Sequence, residues 1–155
     1  MQYLETNIES LQDKISRSIR DINEGGCIHF AYYFSKRLAE LKIFHKILFV
    51  DIDPIDLTYN GFVPVNHVLV WIPEIGYVDG VVTHSSLESV IGFNHYRHLK
   101  PGLTKLDNFR KNYSWNEYYR VKQNIKLEQI INDFNPWQVP KPIRKKFSLK
   151  LRQLW

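Results

Sequence analysis

The chain has 155 residues, of which 44% are hydrophobic and 24% charged, and its formal net charge is +5. These proportions are typical of one globular domain and exclude a disordered chain. No apolar run approaches the roughly 20 residues that cross a bilayer, and the first residues lack the pattern of a signal peptide. The single cysteine, Cys27, cannot form an internal disulfide. We therefore expect a free thiol in a reducing, cytoplasmic compartment.

The positive charge is concentrated at the C-terminal end of the chain. Residues 136–155 contain six basic residues and no acid: Lys141, Arg144, Lys145, Lys146, Lys150 and Arg152. The rest of the chain is nearly neutral, with 15 basic and 16 acidic residues. We predict a single domain over residues 1–135, followed by a basic, proline-containing tail over residues 136–155.

Two helices are predicted before the first strand. Thr6 and Glu9 have the spacing of a capping box, and apolar residues then recur at helical intervals, which predicts an amphipathic helix over residues 7–23. The apolar stripe that starts at Cys27 and ends near Leu41 predicts a second helix.

Three strands follow, and the last two form a predicted hairpin. Their predicted ranges are Ile47–Val50, His67–Ile72 and Tyr77–Asp79. The turn between the last two is centred near Glu74, which places residues 77–80 opposite residues 71–68 of the preceding strand. Serines 85 and 86 are candidate caps of a short helix through Ile91.

These elements indicate an α+β domain. We expect N-terminal helices packed on a small antiparallel sheet, plus a long C-terminal helix from about Ser114 to Phe134. Prolines after Phe134 separate that helix from the tail.

Cys27 occupies a position that suits a nucleophile. It follows Gly25 and Gly26 and begins a predicted helix, where free backbone amides and the helix dipole favour a thiolate. Its own amide could stabilise an oxyanion. Asn23 and Gly26 are weaker candidates for the substrate and oxyanion site, whereas His29 points about 200° around the helix and is expected at the surface.

His67 and Asp79 are candidates for the base and its orienting acid. The predicted hairpin makes them cross-strand neighbours within side-chain reach, although a shift of one residue would turn Asp79 to the other face. An inert buried cysteine, a structural histidine and a turn aspartate are the alternative interpretations of Cys27, His67 and Asp79.

At these residues the sequence resembles the transglutaminase-like branch of the papain-like cysteine enzymes. The matching segments are Gly25–Cys27 opening a helix, Asn66–Val70 as a strand and Gly76–Gly80 as the next strand. The resemblance covers about residues 20–85 and implies a nucleophile at Cys27 and a base at His67. It also implies an orienting acid at Asp79 and chemistry through a thioester on an amide or ester.

Other polar clusters were weighed as metal sites. Asp51, Asp53 and Asp56 could bind a cation but also suit a polar loop, and we prefer the loop. The group of His84, His95 and His98 contains one His-x-x-His pair, a weak metal signal. We predict no metal and no organic cofactor.

The favoured hypothesis is a cysteine hydrolase or acyltransferase with a Cys-His-Asp triad, closer to a protease or amidase than to a cross-linking enzyme. Its substrate would be a peptide, a protein or a small amide or ester, with Trp71 as a weak substrate contact. A non-catalytic binding module on the same fold is the first alternative. A nucleic-acid-binding protein that uses the basic tail, or a tail that holds an acidic partner, is the second.

Overall fold

The computed structural model describes residues 3–19, 22, 26–52, 65–89, 93–98, 107 and 117–139. Its three long helices are α1 (Leu4–Ser18), α2 (Cys27–Glu40) and α3 (Glu117–Asn132). Its strands are β1 (Lys46–Ile52), β2 (Val65–Ile72), β3 (Gly76–Val78), β4 (Thr83–His84) and β5 (Phe93–His98), with a 3₁₀ turn at Leu87–Ser89. Among these helices, none combines the length and apolar composition needed to cross a membrane.

The five strands form one sheet in the order β4-β3-β2-β1-β5, and every neighbouring pair is antiparallel. The pairing of β2 with β3 puts Trp71 opposite Tyr77 and Val70 opposite Val78. This is the register predicted for the hairpin, and the α+β class is likewise confirmed.

The main core lies between the helices and one face of the sheet. It joins buried residues of all three helices to alternate residues of β2: Ile8, Leu11 and Ile15 of α1, Phe30, Phe34 and Leu38 of α2, Leu127 and Ile131 of α3, and Val68, Val70 and Ile72. Because β2 side chains alternate between faces, the intervening Leu69 packs in a second cluster with Leu48 and Leu87 on the other face.

Helix α1 differs from its prediction. It begins at Leu4 after Tyr3 and has no side-chain cap, and it ends at Ser18. The predicted capping box and the predicted range 7–23 are therefore wrong. The physical reason is that Leu4 already belongs to the buried stripe, so burial rather than a local cap determines where the helix starts.

β1 and β2 extend beyond the predicted segments, whereas β3 ends at Val78, so the prediction of Asp79 as a strand residue is wrong. β1 continues through Asp51, so this acid is a strand residue and not the first residue of a polar loop. Neither β4 nor β5 was predicted, and a 3₁₀ turn replaces the short helix expected after the serines. Asp53, Asp56 and Ser114 lie outside the described residues.

The start of the predicted tail lies on the domain. Pro136 is buried, and the Asn7 side-chain amide of α1 donates a hydrogen bond to the Gln138 carbonyl at 2.9 Å. The Arg37 guanidinium of α2 donates to the Phe134 carbonyl at 3.1 Å. The six basic residues of the tail lie outside the described part of the chain.

Gly80 lets the turn after β3 approach the helices closely. A Cβ atom built on it would lie 2.6 Å from Ile22 Cγ1 and 3.5 Å from the Phe30 ring. The first distance is shorter than a carbon–carbon contact allows. The absence of a side chain at Gly80 therefore permits its neighbour Asp79 to lie against the helical layer.

We predict that Gly80→Ala lowers the free energy of unfolding by about 1–3 kcal/mol, because the added methyl overpacks the contact with Ile22. Chemical denaturation measures the change. In an Ile22→Ala background the same substitution should cost clearly less, because the clashing atom has been removed. An equal cost in both backgrounds would contradict this explanation.

Candidate active site

The Asp79 side chain is positioned first by its own turn. Its Oδ1 atom accepts hydrogen bonds from the backbone N–H groups of Val81 (2.7 Å) and Val82 (2.9 Å). The Asp79 N–H in turn donates to the Val82 carbonyl at 3.1 Å. Aspartate commonly organises a turn in this way. The turn leaves the second carboxylate oxygen, Oδ2, available to the neighbouring strands.

His67 reaches that oxygen from β2. Its Nε2 atom lies 3.0 Å from Asp79 Oδ2, so Nε2–H donates to the carboxylate. The two side chains therefore meet as the hairpin predicted, although Asp79 belongs to the turn after β3 and not to the strand itself. Both are buried, at 8% and 1% exposure for His67 and Asp79. A carboxylate on Nε2 assigns the proton of the neutral ring to that nitrogen and leaves Nδ1 for another partner.

Cys27 provides that other partner. It is the first residue of α2, Gly26 precedes it as the N-cap, and the Gly26 carbonyl accepts the Phe30 N–H at 2.9 Å. Hydrogen bonding and charge from the Cys27 side chain contribute to raising the pKa of His67. The Cys27 N–H has no intrahelical acceptor because it lies in the first turn. The structure thus places His67 and Asp79 in direct contact, and the raised pKa of His67 indicates that Cys27 lies near the ring.

These contacts change the protonation of both ionisable partners of the pair. Burial alone lowers the pKa of His67, but hydrogen bonds and charge interactions with Asp79 and Cys27 outweigh it and raise the pKa from 6.5 to about 10. Burial alone raises the pKa of Asp79, but hydrogen bonds from His67, His84 and Val82, with the charge of His67, lower it well below 3.8. A protonated ring beside an ionised carboxylate is therefore the stable form.

His84 is a residue of this site that the sequence analysis missed. It was weighed only as a metal ligand, yet its Nε2 atom lies 3.2 Å from Asp79 Oδ2. Its Nδ1 atom lies 3.5 Å from the Ser89 hydroxyl. The sequence does contain a sign of this contact, because His84 follows Asp79 by five residues across a turn. However, β4 is too short for its pairing to be evident from the sequence.

Gln12 was also missed. Its side-chain amide donates to the Asp79 carbonyl at 3.0 Å and to Thr83 Oγ1 at 3.2 Å. Gln12 is only 3% exposed, and it stands next to Leu11 on the apolar stripe of α1. A polar residue at a buried helical position was the signal that could have indicated a specific partner.

The three weaker candidates for the substrate and oxyanion site differ in where the structure places them. Gly26 lies beside Cys27 as the cap of α2, and Asn23 lies outside the described residues. Trp71 stands four residues, about 13 Å, along β2 from His67. It packs on the second cluster with the Lys46 ammonium 5.5 Å from its ring centre, so the structure does not bring Trp71 to the thiol.

His29 was expected at the surface, and this expectation is wrong. It is 2% exposed. The first turn of α2 is covered on every side, because Cys27, Ile28, Phe30 and Ala31 are buried as well. A helical turn that is buried all round has no solvent-exposed face from which the orientation of one residue can be deduced.

The contacts of the two histidines with Asp79 are hydrogen bonds. Within the described residues, no group of three or more His, Cys, Asp or Glu side chains is arranged to hold a metal ion. The contacts of Asp79 Oδ2 with the two imidazoles, at 3.0 and 3.2 Å, are of hydrogen-bond length. Chemically, the arrangement offers a thiol, a ring that can accept its proton and a carboxylate that stabilises the protonated ring.

Comparison with known proteins gave no match. No protein-family model, no curated protein and no solved structure matches the chain.

We predict that Gln12→Leu lowers the free energy of unfolding by about 1–3 kcal/mol, because the Asp79 carbonyl and Thr83 lose a buried donor. Arg17→Ala on the exposed side of the same helix is the control and should stay within about 0.5 kcal/mol of wild type. Equal effects of the two substitutions in urea denaturation would show that the buried amide has no special role.

We predict that the His67–Asp79 pair makes stability depend on pH. With a pKa of about 10 in the folded state and 6.5 in the unfolded state, His67 contributes fully below pH 6.5, and the contribution is lost as pH rises to about 10. Asp79 contributes above pH 3.8 and its contribution is lost as pH falls. The difference in unfolding free energy between wild type and His67→Gln should shrink from pH 6.5 to 10. A constant difference would contradict the pairing.

Proposed function

We propose that the chain is a thiol hydrolase or acyltransferase that acts on an amide or ester through a Cys27 thioester. One observation carries the proposal. The His67 ring has Asp79 on Nε2, at 3.0 Å, and interacts with the side chain of Cys27, the first residue of a helix. Nucleophile, base and orienting acid thus form the contiguous series that nucleophilic catalysis requires.

The first half of the reaction forms the thioester. His67 Nδ1 already holds the proton of the thiol, and the Cys27 thiolate attacks the carbonyl carbon of the substrate. Negative charge develops on the carbonyl oxygen, where the Cys27 N–H at the positive end of α2 can donate to it. The carbon–nitrogen or carbon–oxygen bond then breaks, and the protonated ring delivers its proton to the leaving amine or alcohol.

The second half of the reaction releases the acyl group. His67, now neutral, accepts a proton from water or from an acceptor amine, which attacks the thioester carbonyl. The sulfur leaves as a thiolate while His67 keeps the proton, which restores the starting pair, and the product is an acid or a new amide. Asp79 favours the protonated ring in both halves because its carboxylate remains ionised beside it.

The fold that fits this proposal best is the transglutaminase-like, papain-like fold. The cysteine begins a helix, and the histidine and the aspartate follow on successive parts of a β-hairpin. This order agrees with the resemblance of Gly25–Cys27, Asn66–Val70 and Gly76–Gly80 to that superfamily. An α+β domain with helices on one face of an antiparallel sheet is compatible with it.

The burial of Cys27 favours a second candidate function. The residue is only 3% exposed, and a thiol that no reagent reaches would be a core residue of a non-catalytic binding module with the same fold. The two candidates differ in whether the folded protein has a reactive thiol.

We predict that iodoacetamide labels Cys27 in the folded protein at pH 6, at least about tenfold faster in wild type than in His67→Ala. A thiol with an ordinary pKa near 8.5 is only about 0.3% ionised at pH 6, whereas a thiolate–imidazolium pair remains reactive. Mass spectrometry over a pH series measures the rate.

His45→Ala is the matched control, because it removes an imidazole that bonds the Ser35 hydroxyl and a backbone carbonyl away from the triad. It should leave the labelling rate unchanged. A thiol that labels only in denaturant, or equally fast with and without His67, would overturn the enzyme proposal and favour the binding module. If labelling is rapid, amide and ester substrates can be screened for burst release of the leaving group.

A further inference from the structure

Two imidazoles share one oxygen of Asp79. His67 approaches Oδ2 from β2 at 3.0 Å, and His84 approaches the same atom from β4 at 3.2 Å. The two histidines lie on opposite sides of the strand that leads into Asp79, because β3 separates β2 from β4 in the sheet. The catalytic scheme above uses the first contact and gives no role to the second.

His84 is not needed to orient the carboxylate. The Oδ1 atom is already held by the N–H groups of Val81 and Val82 at 2.7 and 2.9 Å, and Gln12 holds the backbone carbonyl of Asp79. These contacts fix the side chain from the turn and from α1. What His84 adds is a second donor on the oxygen that His67 uses.

We infer that His84 is a positioning residue of the thiol site, which competes with His67 for Asp79 Oδ2 and so limits how strongly the carboxylate holds His67 in its protonated form. The inference deepens the proposed function and rests on it. When two donors share one acceptor oxygen, each of the two hydrogen bonds is weaker than a single hydrogen bond to that oxygen would be.

Competition between the two histidines would help a two-step acyl transfer by keeping His67 able to release its proton. His67 must take a proton from the thiol and later give it up to the leaving group, and a ring that is held too firmly as imidazolium is a poor acid. An ionised, buried carboxylate with His67 as its only partner would hold the ring in that state. Donation from His84 to the same oxygen weakens this effect without moving Asp79.

Two further ionisable groups are associated with the two histidines. Cys27 from α2 contributes to the raised pKa of His67, and Tyr77 is the β3 partner of His84 in the β3–β4 pairing. The element α1 contributes the uncharged Gln12. Ser89 contacts the far nitrogen of His84 at 3.5 Å. The His84 side chain is 16% exposed, so it can be replaced with less disruption than its buried partners.

The test is an NMR titration of the His67 ring in wild type, His84→Ala and His84→Gln. The His67 signal is identified by its loss in His67→Gln. We expect His84→Ala to raise the measured pKa of His67 by about 0.5–1 unit, the amount expected for one hydrogen bond. We expect His84→Gln, which keeps an amide donor near the position of Nε2, to return the value at least halfway to wild type. His45→Ala should leave it unchanged.

A fall in the His67 pKa in His84→Ala, or no change beyond that of His45→Ala, would overturn the inference. The fall would mean that His84 orients the carboxylate, and the absence of change would mean that the contact has no influence. A raised value that glutamine does not restore would also overturn it, because donation to Oδ2 would then not be the cause.

The same samples separate this inference from the proposed function. The titration reports the His67 ring whether or not Cys27 reacts, and iodoacetamide labelling of each variant reports the thiol. Slow labelling of wild type with the expected change in the titration would reject the enzyme and keep the competition for Oδ2. Rapid labelling with an unchanged titration would keep the enzyme and reject the role of His84.

Discussion

The buried carboxylate of Asp79 is the constraint on which the arrangement of this domain depends. A carboxylate that is removed from water must have its oxygens hydrogen-bonded, since an unpaired buried charge is very costly. Here two backbone amides satisfy Oδ1 and two imidazoles satisfy Oδ2. The hydrogen bonds to this carboxylate require a turn after β3, a histidine on β2 and the short strand β4. The need to hydrogen-bond one buried carboxylate therefore accounts both for the arrangement of the site and for the short strand at the edge of the sheet.

The parts of the fold that the sequence predicts well are those determined by neighbours in the chain. The β2–β3 hairpin has a short turn, so the turn position determines which residues face each other and brings His67 to Asp79. The start of α2 at Cys27 follows from two adjacent glycines and a new apolar stripe. In both cases a few consecutive residues contain all the necessary information.

The parts that could not be predicted depend on contacts between distant segments. β5 exists because it pairs with β1, and β4 has only two residues, too few for an alternating pattern. Gln12 looks like an ordinary polar helix residue until Asp79, 67 positions later, is placed beside it. The roles of Gln12 and His84 at the site therefore emerge only from the tertiary structure.

Two hydrogen bonds that join segments far apart in the sequence have a consequence for folding. Gln12 bonds to Asp79 across 67 positions, and Asn7 bonds to Gln138 across 131. Contacts of such long sequence separation form slowly, because closing a large loop costs entropy before the contact stabilises it. On a ribosome, Cys27 and His67 would emerge well before α3, which completes the helical layer. The contacts around Asp79 should thus become stable only after α3 has been made.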